Sequence, residues 1–132
     1  MRNYVLDARA SIAFFEDRPG ADNVEGLLAK ASEAEPPLLI SMVDSGEVYS
    51  AVWLVHGEET ANRKLDQIAQ LPIEIIDADA SLTRADASLK AQYNLPYADF
   101  FAAALVATRK AALVTRDMDS EYVTSGHKLA WL

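Results

Sequence analysis

Four short apolar runs recur along this chain, and residues with helical spacing lie between them. Tyr4-Val5-Leu6, Leu38-Leu39-Ile40-Ser41, Ile73-Glu74-Ile75-Ile76 and Ala112-Leu113-Val114-Thr115 have strand length rather than helix length. Near-continuous apolar runs mark strands covered on both faces, which is the signature of a parallel sheet. The intervening segments predict helices over Ala10–Phe15, over Asp22–Ser32 and from Asp44 to about His56-Gly57. Another carries Leu65, Ile68, Ala69 and Leu71 up to Pro72, another spans Ala80–Tyr93, and the last is opened by Pro96 and runs to Lys110. Arg18-Pro19-Gly20 and Pro36-Pro37 are turn signals between elements. Lys128-Leu129-Ala130-Trp131 reads as a fifth strand. Alternating strands and helices predict an α/β fold, a three-layer α/β/α sandwich around a central mostly parallel sheet, with right-handed crossovers. No repeat, linker or low-complexity stretch divides the chain, so residues 1–132 are expected to form one domain.

Composition narrows the function classes. With 51% hydrophobic and 24% charged residues the chain can close a core, which excludes a disordered tail. There is no cysteine, so neither disulfides nor a zinc–thiolate site hold the fold, as suits a reducing cytosol. No run is long enough to cross a membrane and the first residues lack a signal-peptide pattern, so a cytoplasmic protein is expected. The net charge of −8 argues against nonspecific coating of nucleic acid. It does not argue against cutting nucleic acid at a metal site, because carboxylates build such sites.

The acids are placed to do that. Asp7 follows the first strand and Asp117 lies just past the fourth; Glu47 and Asp99 are expected in the first turns of helices. In a parallel sheet strands end and helices begin on one rim, where chemistry collects. Asp119 is a fifth candidate. Clustered carboxylates raise one another's pKa unless a cation sits among them. Mg²⁺ or Mn²⁺ prefers such oxygen ligands, and it can orient a phosphodiester and activate water. Each acid also has a structural reading. Asp99 suits a helix dipole, Glu47 could close a capping box begun by Asp44, and Asp117 and Asp119 could shape a turn. Asp7, between apolar neighbours, needs a partner or a cation. Arg9 and Arg116 would meet substrate phosphates or pair with the acids. His56 and His127 lie outside the rim cluster, and Trp53 and Trp131 are expected in the core.

The segments Val5-Leu6-Asp7-Ala8, Gly46-Glu47-Val48-Tyr49-Ser50-Ala51, Leu95-Pro96-Tyr97-Ala98-Asp99 with its Ala-rich sequel to Ala104, and Leu113-Val114-Thr115-Arg116-Asp117 together resemble PIN domains. More narrowly, they resemble VapC-type toxin ribonucleases, in order and spacing over essentially the whole chain. The resemblance implies an Mg²⁺ or Mn²⁺ site lined by Asp7, Glu47, Asp99 and Asp117, with Asp119 as an additional acid and Thr115 as an accompanying hydroxyl. It implies cleavage of RNA by metal-activated water, a homodimer, and a VapB-type antitoxin whose C-terminal segment lies across the toxin. The chain departs from the pattern at Arg9, where a small polar residue is usual, at Asp44 and Ser45, where Asn and Trp are frequent, and at Ser120, where an aromatic is. Two other classes match part of the sequence. One is a phospho-acceptor receiver domain using Asp77, Thr115 and Lys128; the other is a non-catalytic binding module on the same fold.

Overall fold

The computed structural model describes residues 3–33, 36–95, 100–115 and 129–131. Its five strands are β1 (Tyr4–Leu6), β2 (Leu38–Ser41), β3 (Ile73–Ile76), β4 (Ala112–Thr115) and β5 (Leu129–Trp131). They form one sheet in the order β3-β2-β1-β4-β5, and every neighbouring pair is parallel. The six helices are α1 (Ala8–Phe15), α2 (Ala21–Glu33), α3 (Met42–His56), α4 (Glu58–Gln70), α5 (Ala80–Tyr93) and α6 (Phe101–Arg109).

Alternation along each strand decides which layer a side chain joins. Val5, Leu39 and Leu113 lie in register across the three central strands. They pack with Leu82 of α5 and Ala104 and Leu105 of α6. The next residue of β1, Leu6, lies beside Val114, and these two join Leu38 against Ala10 of α1 and Val24 and Leu28 of α2. Val48 and Val52 of α3 pack with Ala61 and Ile68 of α4, covering Ile73 and Ile75 of β3 on that same side. Four helices therefore cover one face and two the other, giving the expected α/β/α sandwich. The apolar runs are continuous because β2 and β4 are buried along their full length. Glu74 is the exception, and it lies on the edge strand, where one flank meets water. No helix among the described residues is long and apolar enough to cross a membrane.

The chain builds outward from β1 through β2 to β3, then returns to the other side of β1 to lay down β4 and β5. Strand order therefore reverses between β1 and β4, and ligands bind outside the carboxyl ends at such a reversal. Flavodoxin-like receiver domains have the order 2-1-3-4-5, with β1 and β3 flanking the reversal. Here β3 is an edge strand and Asp77 behind it is exposed, so the receiver reading fails.

Strand limits match the sequence reading closely, whereas four helix starts move, that of α2 by a single residue to Ala21. α1 begins at Ala8 rather than Ala10, and α3 at Met42 rather than Asp44, because side chains upstream cap both helices. α6 begins at Phe101, with Phe100 as its N-cap in non-helical backbone, and not at Pro96. A single residue, Gly57, separates α3 from α4, and its φ of 92° is a conformation glycine adopts without strain.

Leu105 is 1% exposed at the centre of the α6–sheet contact. Leu105→Ala is expected to cost about 2–5 kcal/mol. Urea unfolding should show this as a lower midpoint at unchanged m-value.

Candidate active site

Asp7 stands one residue past β1, at the reversal. Its Oδ1 accepts from the Ala10 backbone N–H at 2.8 Å, which makes it the N-cap of α1. Its Oδ2 accepts from the Thr115 hydroxyl at the end of β4. Its own N–H donates to the Val114 carbonyl at 3.3 Å, extending the β1–β4 ladder by one step. Its carbonyl accepts from the Ser11 hydroxyl at 3.0 Å. Asp7 thus has several partners, and they hold its carboxylate at the carboxyl edge of the sheet beside the reversal. The capping role was legible in principle, since an Asp followed three residues later by a helical N–H is a standard N-terminus signal.

One strand away, the register Val5↔Leu39 carried two residues on brings Ser41 alongside Asp7. Ser41 is the N-cap of α3, and its hydroxyl accepts from the Asp44 N–H at 2.9 Å. The same hydroxyl donates to Asp44 Oδ2 at 3.0 Å. This is a capping arrangement with Asp in the third position. It corrects the expectation that Asp44 begins a box closed by Glu47. Both members are buried, at 0% and 3% exposure. Glu47 lies one turn further along α3 and is exposed. Asp44 is the rim acid that the sequence reading treated as peripheral; the Ser-x-x-Asp spacing from Ser41 was the available signal.

Of the candidate residues, Asp7, Arg9, Glu47 and Thr115 are described, and all four lie at the carboxyl edge. Arg9 is exposed in the first turn of α1, and Thr115 is fully buried. Asp99, Arg116, Asp117 and Asp119 lie outside the described residues, as does His127. Among the described residues no three acids or histidines gather at one point. The donors that are described, two carboxylates and a hydroxyl, are all oxygen, which fits a hard divalent ion rather than a soft one.

His56 closes the far end of α3, where its Nε2 lies 2.9 Å from Oε2 of Glu16, the C-cap of α1. It lies away from the carboxyl edge, as expected. Trp53 departs from expectation: it is 43% exposed and meets Tyr49 edge-on rather than entering the core.

A family model described as the PIN domain matches residues 4–124. The chain belongs to the PIN domain family. Solved structures agree on the fold of this PIN domain. VapBC2 from Rickettsia felis, bound to a promoter DNA fragment, superposes with TM-score 0.73 at 21% identity, covering 98% of each chain. DNA-bound VapBC from Salmonella typhimurium gives 0.73 at 12% identity, covering 99% of this chain and 98% of that one. VapC20 of Mycobacterium tuberculosis, a toxin that cleaves the sarcin–ricin loop, gives 0.64 at 13% identity, covering 94% and 95%. A comparison with curated protein sequences returns no match.

Removing the Ser41 hydroxyl takes away the α3 cap and one partner of a buried carboxylate. Ser41→Ala is expected to cost about 1–3 kcal/mol. Thermal unfolding monitored by circular dichroism should show the loss, with Ser41→Thr restoring most of it.

Proposed function

We propose that this PIN domain is a metal-dependent endoribonuclease, the toxin of a type II toxin–antitoxin pair acting in the cytoplasm. One observation carries the proposal: a carboxylate oriented by two neighbouring elements stands at the sheet's strand-order reversal, with a second carboxylate on the adjacent helix. Asp7 and Glu47, with Asp99 and Asp117 from the matching segments, would hold Mg²⁺ or Mn²⁺, with Asp119 as an additional ligand. When bound, such an ion supplies a water of lowered pKa and neutralises charge on the phosphodiester. No histidine base is then required. The Thr115 hydroxyl keeps one Asp7 oxygen in a fixed direction, so the carboxylate does not have to be ordered by the ion. Arg9 and Arg116 would hold phosphates flanking the scissile bond, offsetting a net charge that otherwise repels RNA.

The partner follows from the same likeness. One of the superposing structures is a toxin–antitoxin complex from Klebsiella pneumoniae. A VapB-type antitoxin is proposed for this chain, drawn to an acidic protein by a basic segment. A homodimer is proposed as the active form.

Asp7→Asn makes a clean test. Asparagine caps a helix about as well as aspartate. The variant should therefore keep its fold while losing the charge. Changing a residue that only supports a metal ligand typically costs about 10–100-fold in affinity or activity. Replacing a ligand should then cost at least about 100-fold in RNA cleavage with Mg²⁺ or Mn²⁺. Glu47→Gln is expected to act in the same direction. Cleavage by both variants at the wild-type rate would refute the assignment.

A further inference from the structure

The first turns of α3 lie between the two described carboxylates of the site, and they are built from weak helix formers. After the N-cap Ser41 the chain runs Met42-Val43-Asp44-Ser45-Gly46 before it reaches Glu47. Val, Asp and Ser rank low among helix formers, and glycine inside a helix is destabilising relative to alanine. Neither backbone nor packing among the described residues calls for glycine at 46. Its φ is not positive, and a Cβ there would meet no atom within 4 Å. The first fully buried apolar side chain of α3 is Val48, at 1% exposure, which packs with Ala61 and Ile68 of α4. Glu47 therefore follows a run of helix with little intrinsic order of its own.

What orders that run is the contact between Ser41 and Asp44. The Ser41 hydroxyl accepts from the Asp44 N–H at 2.9 Å and donates to Asp44 Oδ2 at 3.0 Å. The two bonds fix the hydroxyl in both of its roles, and both residues are buried, so water does not compete for them. Ser41 is in turn held in the sheet. It is the last residue of β2, pairs with Ile76 of β3 and lies alongside Asp7 of the β1 side. The Ser41–Asp44 contact thus ties the start of the Glu47 helix to the strand next to Asp7. It calls for an acceptor at position 44 rather than a charge: an asparagine oxygen could take the Ser41 proton, and alanine could not.

We propose that Asp44 is a positioning residue: bonded to Ser41, it holds the first turns of α3 so that the Glu47 carboxylate stands in a fixed place relative to Asp7. This rests on the nuclease reading above, in which Asp7 and Glu47 hold the ion. Its test therefore reads metal uptake and amide exchange rather than cleavage. Mn²⁺ affinity is measured from the paramagnetic resonance of the free ion for wild type, Asp44→Ala, Asp44→Asn, Glu47→Gln and the double variant Asp44→Ala/Glu47→Gln. Thermal unfolding confirms that each is folded at the temperature used. Asp44→Ala is expected to weaken Mn²⁺ binding about 10-fold, the effect of losing a ligand's support. Its Glu47 amide should exchange faster than in wild type, because the first turns open locally. If Asp44 acts through Glu47, the double variant binds like Glu47→Gln alone, within about twofold. Asp44→Asn keeps the acceptor and is expected to retain most of the affinity. Gly46→Ala stiffens the same turns, and added to Asp44→Ala it should recover about threefold of the lost affinity.

Asp44→Ala binding Mn²⁺ like wild type would overturn the positioning role while leaving the nuclease reading intact. So would a full additional loss in the double variant, or Glu47→Gln binding like wild type. If Asp44→Ala does not fold, Asp44→Asn decides: a loss as deep as that of Glu47→Gln shows that the charge matters and not the bond to Ser41, and overturns the role. Wild-type protein that takes up no Mn²⁺ would overturn the nuclease reading and this role together.

Discussion

The junction of β1 and β4 is the constraint on which the rest of the carboxyl edge depends. Strand order reverses there, and ligands bind outside the carboxyl ends of a parallel sheet at such a reversal. Asp7 ties that junction together. Its backbone extends the ladder to Val114, while its side chain takes the first turn of α1 on one oxygen and the Thr115 hydroxyl on the other. Strand, helix and neighbouring strand thus converge on one acid. A carboxylate so restrained has little rotamer freedom left to lose when it binds a ligand.

Buried polarity follows a pattern. Ser41 and Thr115 sit at the carboxyl edge, Asp44 and Ser45 in the first turn of α3 beside it, Ser11 one turn into α1, and Asp86 on α5 behind α6; otherwise the described core is apolar. No described buried side-chain nitrogen or oxygen lacks a partner. Each of these groups would cost on the order of 1–3 kcal/mol if left unsatisfied. Their partners are mostly helix starts: Asp7 for α1, Ser41 with Asp44 for α3, and Asp86 for the residue before α6. The fold thereby meets two needs with one set of groups, since helix N-termini require acceptors and the parallel topology gathers those termini where a ligand would sit. At the opposite end of α1 and α3 the polar contact is the exposed His56–Glu16 pair.

Much of this was legible in the linear order of residues. The strands were readable because each apolar run stops at a polar residue or a break, as Leu6 does before Asp7 and Ile76 before Asp77. Helix starts were less readable. A periodicity search registers a helix only once its apolar face begins to repeat, whereas the helix starts at its cap, one or two residues earlier. Asp7 and Ser41 belonged to the helices although they looked like the ends of strands. Trp53 departs for a related reason: an aromatic within an apolar stretch carries no mark of which side of its helix faces the sheet and which faces water.

The sequence by itself determined the element types, the parallel character of the sheet and the presence of acids where strands stop. These are properties of neighbours within a few residues, governed by side-chain period and turn chemistry. Tertiary structure alone decided the strand order, the reversal beside β1, and the meeting of Thr115 with Asp7 across a separation of 108 residues. It also decided that Asp86 is buried against α6 although its spacing from Lys90 resembles a surface pair. Long-range pairing depends on how the whole set of apolar faces is covered at once, and no local window of residues contains that information.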